Sequence, residues 1–403
     1  MKIGIFLSDT NPTRGGGYQY EIKLANLINK LNREKFETIF FVNNKELSKV
    51  LENLKLKNTF LKLNFFNKLL NFLFKNTYFK KFFFKFLVKL TFEYKILKHK
   101  LDLIYFISPN DLIKYIHSHN LISTVWDQCH RDNVEFPEVS HDGQFEKREE
   151  LIFENVKRSL AIIVESEKSK INFNKRYGVD LERINVLPCT PSYFVEKYKD
   201  MDKKNIEEVI NRLSISKNFI FYPAQLWPHK NHSLILEALN IIVNKKKIDL
   251  NFYFCGQDKG NLNYIKKKID NFQLNKKVKY LGFINDKDIV ALYKSAMALV
   301  MPTYFGNANI PPLDAFKLSC PVIYTKFDEN DHLFNNSIWD IDLNSAENLS
   351  DTIIELMNND IKKKEKIDNG LKYLENIKDE KIQNNLEKIF DKYNKIKSSW
   401  GEH

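Results

Sequence analysis

Residues 301–316 read Met301-Pro302-Thr303-Tyr304-Phe305-Gly306-Asn307-Ala308-Asn309-Ile310-Pro311-Pro312-Leu313-Asp314-Ala315-Phe316. They follow an apolar run, Ala296 to Met301, that reads as a buried strand, and they open a helix of apolar period. A loop holding Gly306 and two asparagines therefore ends on a helix whose first turn carries Pro311 and Pro312. Proline fits there because its missing N–H would have no helical partner in any case. The remaining free N–H groups, with the positive end of the helix dipole, make a seat for an anion. Asp314 projects from the same turn, where a carboxylate accepts hydrogen bonds from paired hydroxyls such as those of a ribose. Phosphate and sugar handled at one strand–loop–helix junction point to chemistry on a nucleotide sugar.

Outward from this junction, strand-like runs alternate with helical stretches. In the first half they are Ile3–Leu7, Thr38–Val42, Leu103–Ile107, Ser123–Trp126, Ala161–Val164 and Ile184–Leu187. In the second they are Phe219–Tyr222, Leu250–Phe254, Val278–Leu281, Ala298–Met301 and Val322–Tyr324. Such alternation predicts an α/β protein with parallel sheets and right-handed crossovers. The strands are too many for one comfortable domain, so two Rossmann-like units with a cleft between them are expected. Pro188 and Pro191 mark a linker, and Phe219 starts the second unit. The expected division is 1–195 for the first domain, 217–375 for the second, and 376–403 for a terminal helix.

The chain of 403 residues is 43% apolar, enough for large cores. Cys129, Cys189, Cys255 and Cys320 lie far apart with no C-x-x-C pair, which argues against zinc and a disulfide framework and for a reducing cytoplasm. Met1-Lys2-Ile3 runs straight into a strand, so no signal peptide is expected. No apolar run approaches the roughly 18–20 residues that span a bilayer. The net charge of +12 favours anionic partners, although solvated lysine faces and genome composition account for it equally well. No nucleic-acid module is recognisable, and nucleic acid is not an expected partner.

One stretch departs from the rest. Between Phe60 and Lys100, nine phenylalanines from Phe65 to Phe86 interleave with lysines, and Glu93 is the only acid. Basic and aromatic residues on helices suit an anionic membrane surface, where each lysine contributes about 1 kcal/mol. The alternative is a helical insertion packed on the first domain with its lysines outward. The expectation is a peripheral protein on the inner face of the cytoplasmic membrane.

Three further sites carry chemistry. Gly15-Gly16-Gly17 follows the first strand, where glycines permit positive φ and clear the approach of a phosphate or sugar. Lys230, after the first strand of the second unit, can neutralise a departing diphosphate, whose charge grows in the transition state. His130 lies in Trp126-Asp127-Gln128-Cys129-His130-Arg131, just past a strand end; Asp132, Glu135 and Glu138 are acids nearby. Asp340-Ile341-Asp342 has D-x-D spacing, common by chance, and no metal is expected. H-E-x-x-H, Walker A and G-x-S-x-G patterns are absent.

The junction at 301–316 resembles the donor-site signature of retaining glycosyltransferases of family 4, which have the GT-B fold and a motif of two glutamates eight positions apart. Tyr222-Pro223-Ala224-Gln225-Leu226-Trp227-Pro228-His229-Lys230-Asn231-His232 resembles the same family's first C-domain loop. Gly256, Gly282 and the Gly15–Gly17 loop lend weaker support. The resemblance implies a donor site of Gln225, Lys230, Gly256, Asn307, Ala308, Asn309, Ile310 and Asp314, with His130 facing the sugar across the cleft. It also implies a last helix that crosses back onto the first domain.

It implies transfer of a sugar, with a hexose expected, from a nucleotide diphosphate sugar to a lipid-linked or lipopolysaccharide-type saccharide, with retention and without a cofactor. The chain departs from the pattern in three places. Gln225 stands where the family has arginine, Gly306 where it has its first glutamate, and Asp314 where it has its second. The alternatives are a degenerate paralogue that binds nucleotide sugar and supports a partner enzyme, or a sugar-nucleotide epimerase.

Overall fold

A computed structural model of the chain describes residues 1–8, 15–74, 88–306, 309–327 and 334–400. Two parallel sheets are present, as the alternating pattern predicts. The first contains β1 (Lys2–Phe6), β2 (Glu37–Val42), β3 (Asn58–Phe60), β4 (Leu103–Phe106), β5 (Leu121–Thr124), β6 (Ser159–Val164) and β7 (Ile184–Val186), in the order β3-β2-β1-β4-β5-β6-β7. The second contains β8 (Phe219–Pro223), β9 (Asn251–Cys255), β10 (Val278–Tyr280), β11 (Ala298–Met301), β12 (Val322–Thr325) and β13 (Trp339–Ile341), in the order β10-β9-β8-β11-β12-β13. Every pairing among these strands is parallel.

The central strands are buried on both faces, which is why they read as continuous apolar runs: Ile3, Ile5 and Phe6 in β1 and all of Ala298–Met301 in β11 are inaccessible to solvent. In each sheet the order reverses beside the first strand, between β1 and β4 and between β8 and β11. Crevices that bind ligands form at the carboxyl ends of strands flanking such a reversal. The two units present these ends to each other.

The last helix, Asp379–Lys397, follows the second domain in chain order but packs on the first. Its Ile382, Leu386, Phe390 and Tyr393 are buried in the core of that sheet with Tyr105 and Leu27. Tyr393 donates to the Asp102 carbonyl at 3.0 Å, Gln383 to the Leu27 carbonyl at 3.0 Å, and Lys23 Nζ lies 2.8 Å from Asp379. The helix therefore straps the second unit to the first, chiefly by apolar burial, with the polar contacts of Tyr393, Gln383 and Asp379 among those that fix its register.

Part of the basic aromatic stretch lies outside the described residues. Within the rest, a helix spans Phe65–Phe74 and another Phe92–Leu97. Leu70, Phe92 and Ile96 are buried, while Phe65 is 79% exposed and Phe66 and Leu69 are also exposed. Glu93, the lone acid of the stretch, is turned inward and accepts from the backbone N–H of His117 at 2.6 Å and of Ser118. Among the described residues no helix is long and apolar enough to cross a membrane.

Candidate active site

A cleft of about 390 Å³ lies between the carboxyl ends of the two sheets. Its first wall comes from the loops after β1, β5 and β6: Gly15–Gly17 and Tyr20, then Thr124–Asp127, then Glu165. Gly15 has φ +74 and precedes the helix Gly16–Asn29. At Gly17 the requirement for glycine is steric, since a Cβ there would stand 2.7 Å from the Trp126 ring. Tyr20 meets the same ring edge-on, with centroids 6.2 Å apart.

The second wall is Pro223–Gln225, Trp227, His229 and Lys230 after β8, with Gly306 and Asn309–Pro311 after β11. Gln225 Oε1 accepts from Trp227 Nε1 at 2.9 Å, while its Nε2 is buried without a partner. Lys230 ends a short 3-10 turn, Pro228–Lys230, where Asn231 takes φ +51 and its side chain caps the next helix. Its ammonium donates to Asn309 Oδ1 at 3.2 Å, and no carboxylate among the described residues pairs with it. Burial pulls its pKa down to about 8. A half-buried cation facing a helix N-terminus without an acidic partner is short of negative charge, which an anion would supply.

Gly306 has φ +91 and its carbonyl accepts from Asn309 Nδ2 and, at 2.9 Å, from Tyr324 OH. Asn309 therefore fills the space at residue 306: a Cβ on Gly306 would meet Asn309 Nδ2 at 2.9 Å. The helix Ile310–Lys317 starts directly after it, with prolines in its first turn. Asn307 and Ala308 lie outside the described residues.

Three expected site residues sit elsewhere. Asp314 does not face the cleft. It is buried, with Oδ1 accepting from Ser192 N at 2.7 Å and Oδ2 from Ser192 Oγ at 2.8 Å, so its carboxyl holds the segment after β7 instead of presenting oxygens to a ribose. It lies one turn into the helix on the face packed against that segment. Burial raises its pKa to about 7. His130 is also buried, with Nε2 2.6 Å from Glu149 and its ring against Phe145. The reason is that β5 ends at Thr124, so the loop reaching the cleft is Val125–Asp127, and His130 falls in the following turn, Cys129–Asp132. Burial lowers its pKa despite Glu149. Arg131 is held by the same Glu149 and lies over the Tyr177 ring, so it does not replace the missing family arginine. Gly256 does not line the cleft; it stands behind β8, and at φ +138 its missing Cβ leaves room for the Ala224 carbonyl.

The nearby acids are divided. Asp132 pairs with Arg176 at 3.1 Å, and Glu135 is exposed. Glu138 crosses to the second domain, accepting from the His229 backbone N–H at 3.0 Å and meeting its Nδ1. His229 stacks on Phe305 with centroids 3.9 Å apart, and Phe136 packs on Tyr304 and Phe305. Burial brings the His229 pKa to about 4, so at neutral pH it is an uncharged donor to Glu138. This cluster clasps the two domains beside the cleft. Asp340 lies in β13 and neither it nor Asp342 lines the cleft.

Sequence reasoning missed Tyr20, Thr124, Glu165, Cys189 and Trp227 as lining residues. The available signal was positional: Glu165 is the first polar residue after the apolar run of β6, at the end of the strand that faces the cleft.

Residues 203–373 match the family described as glycosyl transferases group 1. The O-antigen chain mannosyltransferase RfbU of Salmonella typhimurium is 27% identical over 173 residues, 42% of this chain and 43% of that protein. The O-antigen chain mannosyltransferase B of Escherichia coli is 18% identical over 227 residues, 56% of this chain and 58% of that protein. The chain thus matches about half the length of these curated relatives. The crystal structure of Anabaena Alr3699/HepE in complex with UDP and glucose superposes with a TM-score of 0.71 at 17% identity, over 97% of this chain and 100% of that one. WaaG, a glycosyltransferase involved in lipopolysaccharide biosynthesis, gives a TM-score of 0.65 at 14% identity over 93% and 95%. The fold is GT-B, and the family match in the second domain supports the glycosyltransferase family that the two loops resemble.

Proposed function

We propose that the chain is a retaining glycosyltransferase that moves a hexose from a nucleotide diphosphate sugar to a lipid-linked or lipopolysaccharide-type saccharide. The observation that carries this reading is Lys230: an ammonium without a carboxylate partner, set in the cleft beside the N-terminus of the helix Ile310–Lys317 and opposite Gly15–Gly17. Such a group stabilises the negative charge that grows on a departing diphosphate. The acceptor hydroxyl attacks on the face from which the diphosphate leaves, and a phosphate oxygen takes its proton. This route depends on positioning and charge stabilisation more than on a protein nucleophile, and it assigns no role to a metal or cofactor. The Phe136–Phe305–His229 clasp holds the domains closed around the reactants and limits donor hydrolysis.

The lipid-linked acceptor is proposed from the O-antigen relatives and from the exposed apolar face of Phe65, Phe66 and Leu69 beside Lys62 and Lys68, which suits an anionic membrane surface on the cytoplasmic side. The test is release of UDP or GDP by purified protein from a panel of nucleotide sugars, with and without a lipid-linked saccharide extract. Acceptor-dependent release from one donor supports the transferase. Nucleotide binding without release would favour a degenerate paralogue, and donor conversion without acceptor an epimerase.

Gly306 gives this reading a sharp prediction. Gly306→Glu restores the family glutamate in sequence, yet the new side chain would displace Asn309 and hold a non-glycine residue at φ +91. Backbone strain of that kind costs about 1–3 kcal/mol. Turnover is expected to fall in steady-state assays. A rise would mean that Asn309 can leave the space beside residue 306 without loss of the site.

A further inference from the structure

Among the described residues, Glu165 is the one acid of the cleft with an unmatched buried oxygen. The end of β6 delivers it to the first wall, where Ser169 Oγ donates to Oε1 at 2.7 Å and Oε2 is buried with no partner. Buried polar oxygens are almost always paired, so an unmatched one lining a cleft points to a partner on the ligand. The titratable groups around it are Asp127 after β5, Cys129 in the next turn, Tyr20 on the first helix and Cys189 after β7, none of them a cation. His229 and Lys230 belong to the opposite wall. Burial, with Asp127 adding to it and Ser169 opposing, pushes the carboxyl up to about 8, so at neutral pH the group carries its proton.

The two walls thus differ in kind. The second offers a cation and a helix N-terminus, which suit phosphate. The first offers Thr124, Asp127 and Glu165 between the rings of Trp126 and Tyr20, a mixture of donors, acceptors and apolar faces that suits a sugar and excludes a second anion. We propose that Glu165 contacts the saccharide in the cleft, its carboxylic O–H donating to a sugar oxygen beyond reach of the nucleotide-binding wall. The inference rests on the nucleotide-sugar reading of the cleft, and it makes Glu165 a positioning and specificity residue on the sugar side.

The test compares wild type, Glu165→Gln and Glu165→Ala. Steady-state kinetics use whichever nucleotide sugar the donor panel selects, across pH, and calorimetry follows UDP and GDP binding as a control. Glu165→Ala is expected to lower kcat/KM by about tenfold or more while leaving nucleoside diphosphate binding unchanged. In wild type kcat/KM declines as pH rises through about 8, because ionisation removes the donated proton and places a second anion beside Asp127. Lys230 titrates in the same range in the free protein. Glu165→Gln leaves Lys230 in place, so a decline that this variant abolishes belongs to Glu165. The amide still donates, and the variant is expected to stay within a few-fold of wild type at neutral pH.

A wild-type rate in Glu165→Ala overturns the proposal, as does a wild-type pH profile in Glu165→Gln. Failure of wild type to bind or turn over any donor would sink the transferase reading instead. In that event the infrared difference spectrum between wild type and Glu165→Gln still decides the point: a protonated carboxyl band at neutral pH upholds the donor, and its absence overturns it.

Discussion

Lys230→Ala is expected to lower turnover of the nucleotide sugar about a hundredfold or more, the loss seen when a donor that stabilises transition-state charge is removed. The ammonium has one hydrogen bond, to Asn309 Oδ1 at 3.2 Å, and no carboxylate among the described residues forms an ion pair with it in the cleft. Asp127 and Glu138 act on it only at a distance, so its charge has no directly paired anion until a diphosphate arrives. Burial has already moved its pKa to about 8, and bound phosphate raises it again because an opposite charge favours the protonated form. Donor affinity should consequently weaken as pH rises above about 8, and Lys230→Arg, which cannot lose its charge there, should weaken less. Stability should change little, since alanine removes a desolvated cation and a single hydrogen bond. Release of nucleoside diphosphate in steady state checks this; turnover within about threefold of wild type would mean that the departing charge is stabilised elsewhere.

Gly256→Ala is the substitution expected to damage the second domain most. A Cβ at this position would stand 2.4 Å from the Ala224 carbonyl oxygen, 2.6 Å from its carbon and 2.9 Å from Gln225 N, all backbone atoms at the end of β8. The strand end cannot move aside easily, because Gly256 is held from both sides: its N–H donates to the Gly282 carbonyl at 2.9 Å and its carbonyl accepts from Tyr280 OH at 2.6 Å. Strain from a φ of +138 on a non-glycine residue adds to the overlap. Together these cost about 3–5 kcal/mol. Scanning calorimetry should show the melting temperature of the variant down by roughly 10 °C. Nucleotide affinity should fall with it, since the displaced backbone carries Gln225 into the cleft. An unchanged melting temperature would show that the β8 and β9 ends can separate without loss.

These two residues also mark how far the sequence was legible. Lys230 could be placed because it follows an apolar strand, within a loop that resembles the family's, and a parallel sheet gathers the loops at its strands' carboxyl ends along one edge. The same logic located Gly15–Gly17 and the 301–311 junction, where Ala298–Met301 is buried throughout. It does not extend to His130, whose place across the cleft is implied by the family resemblance alone. With β5 ending at Thr124, Trp126 and Asp127 are the residues that line the cleft, and His130 falls in the turn after them. Asp314 failed for a different reason: a helix turns 100° per residue, and which face of the first turn looks into the cleft depends on the segment packed against it, here Ser192. All four edge strands have three residues; β7 and β10 stand out in the sequence, and β3 and β13 do not. Gly256 was visible as a glycine near a strand end, but its neighbour across the turn, Ala224, is a tertiary fact. The unmatched oxygen of Glu165 is another, because its isolation depends on four loops meeting.

The central claim is that a nucleoside diphosphate occupies this cleft with its phosphates on the second wall. A crystal structure with UDP or GDP bound tests it most directly. The account predicts phosphate oxygens within hydrogen-bond reach of Lys230 Nζ and of the backbone N–H groups at Asn309 and Ile310, with the first wall left open for a sugar. A diphosphate seated away from Lys230, or a cleft that stays empty at saturating nucleotide, would contradict it.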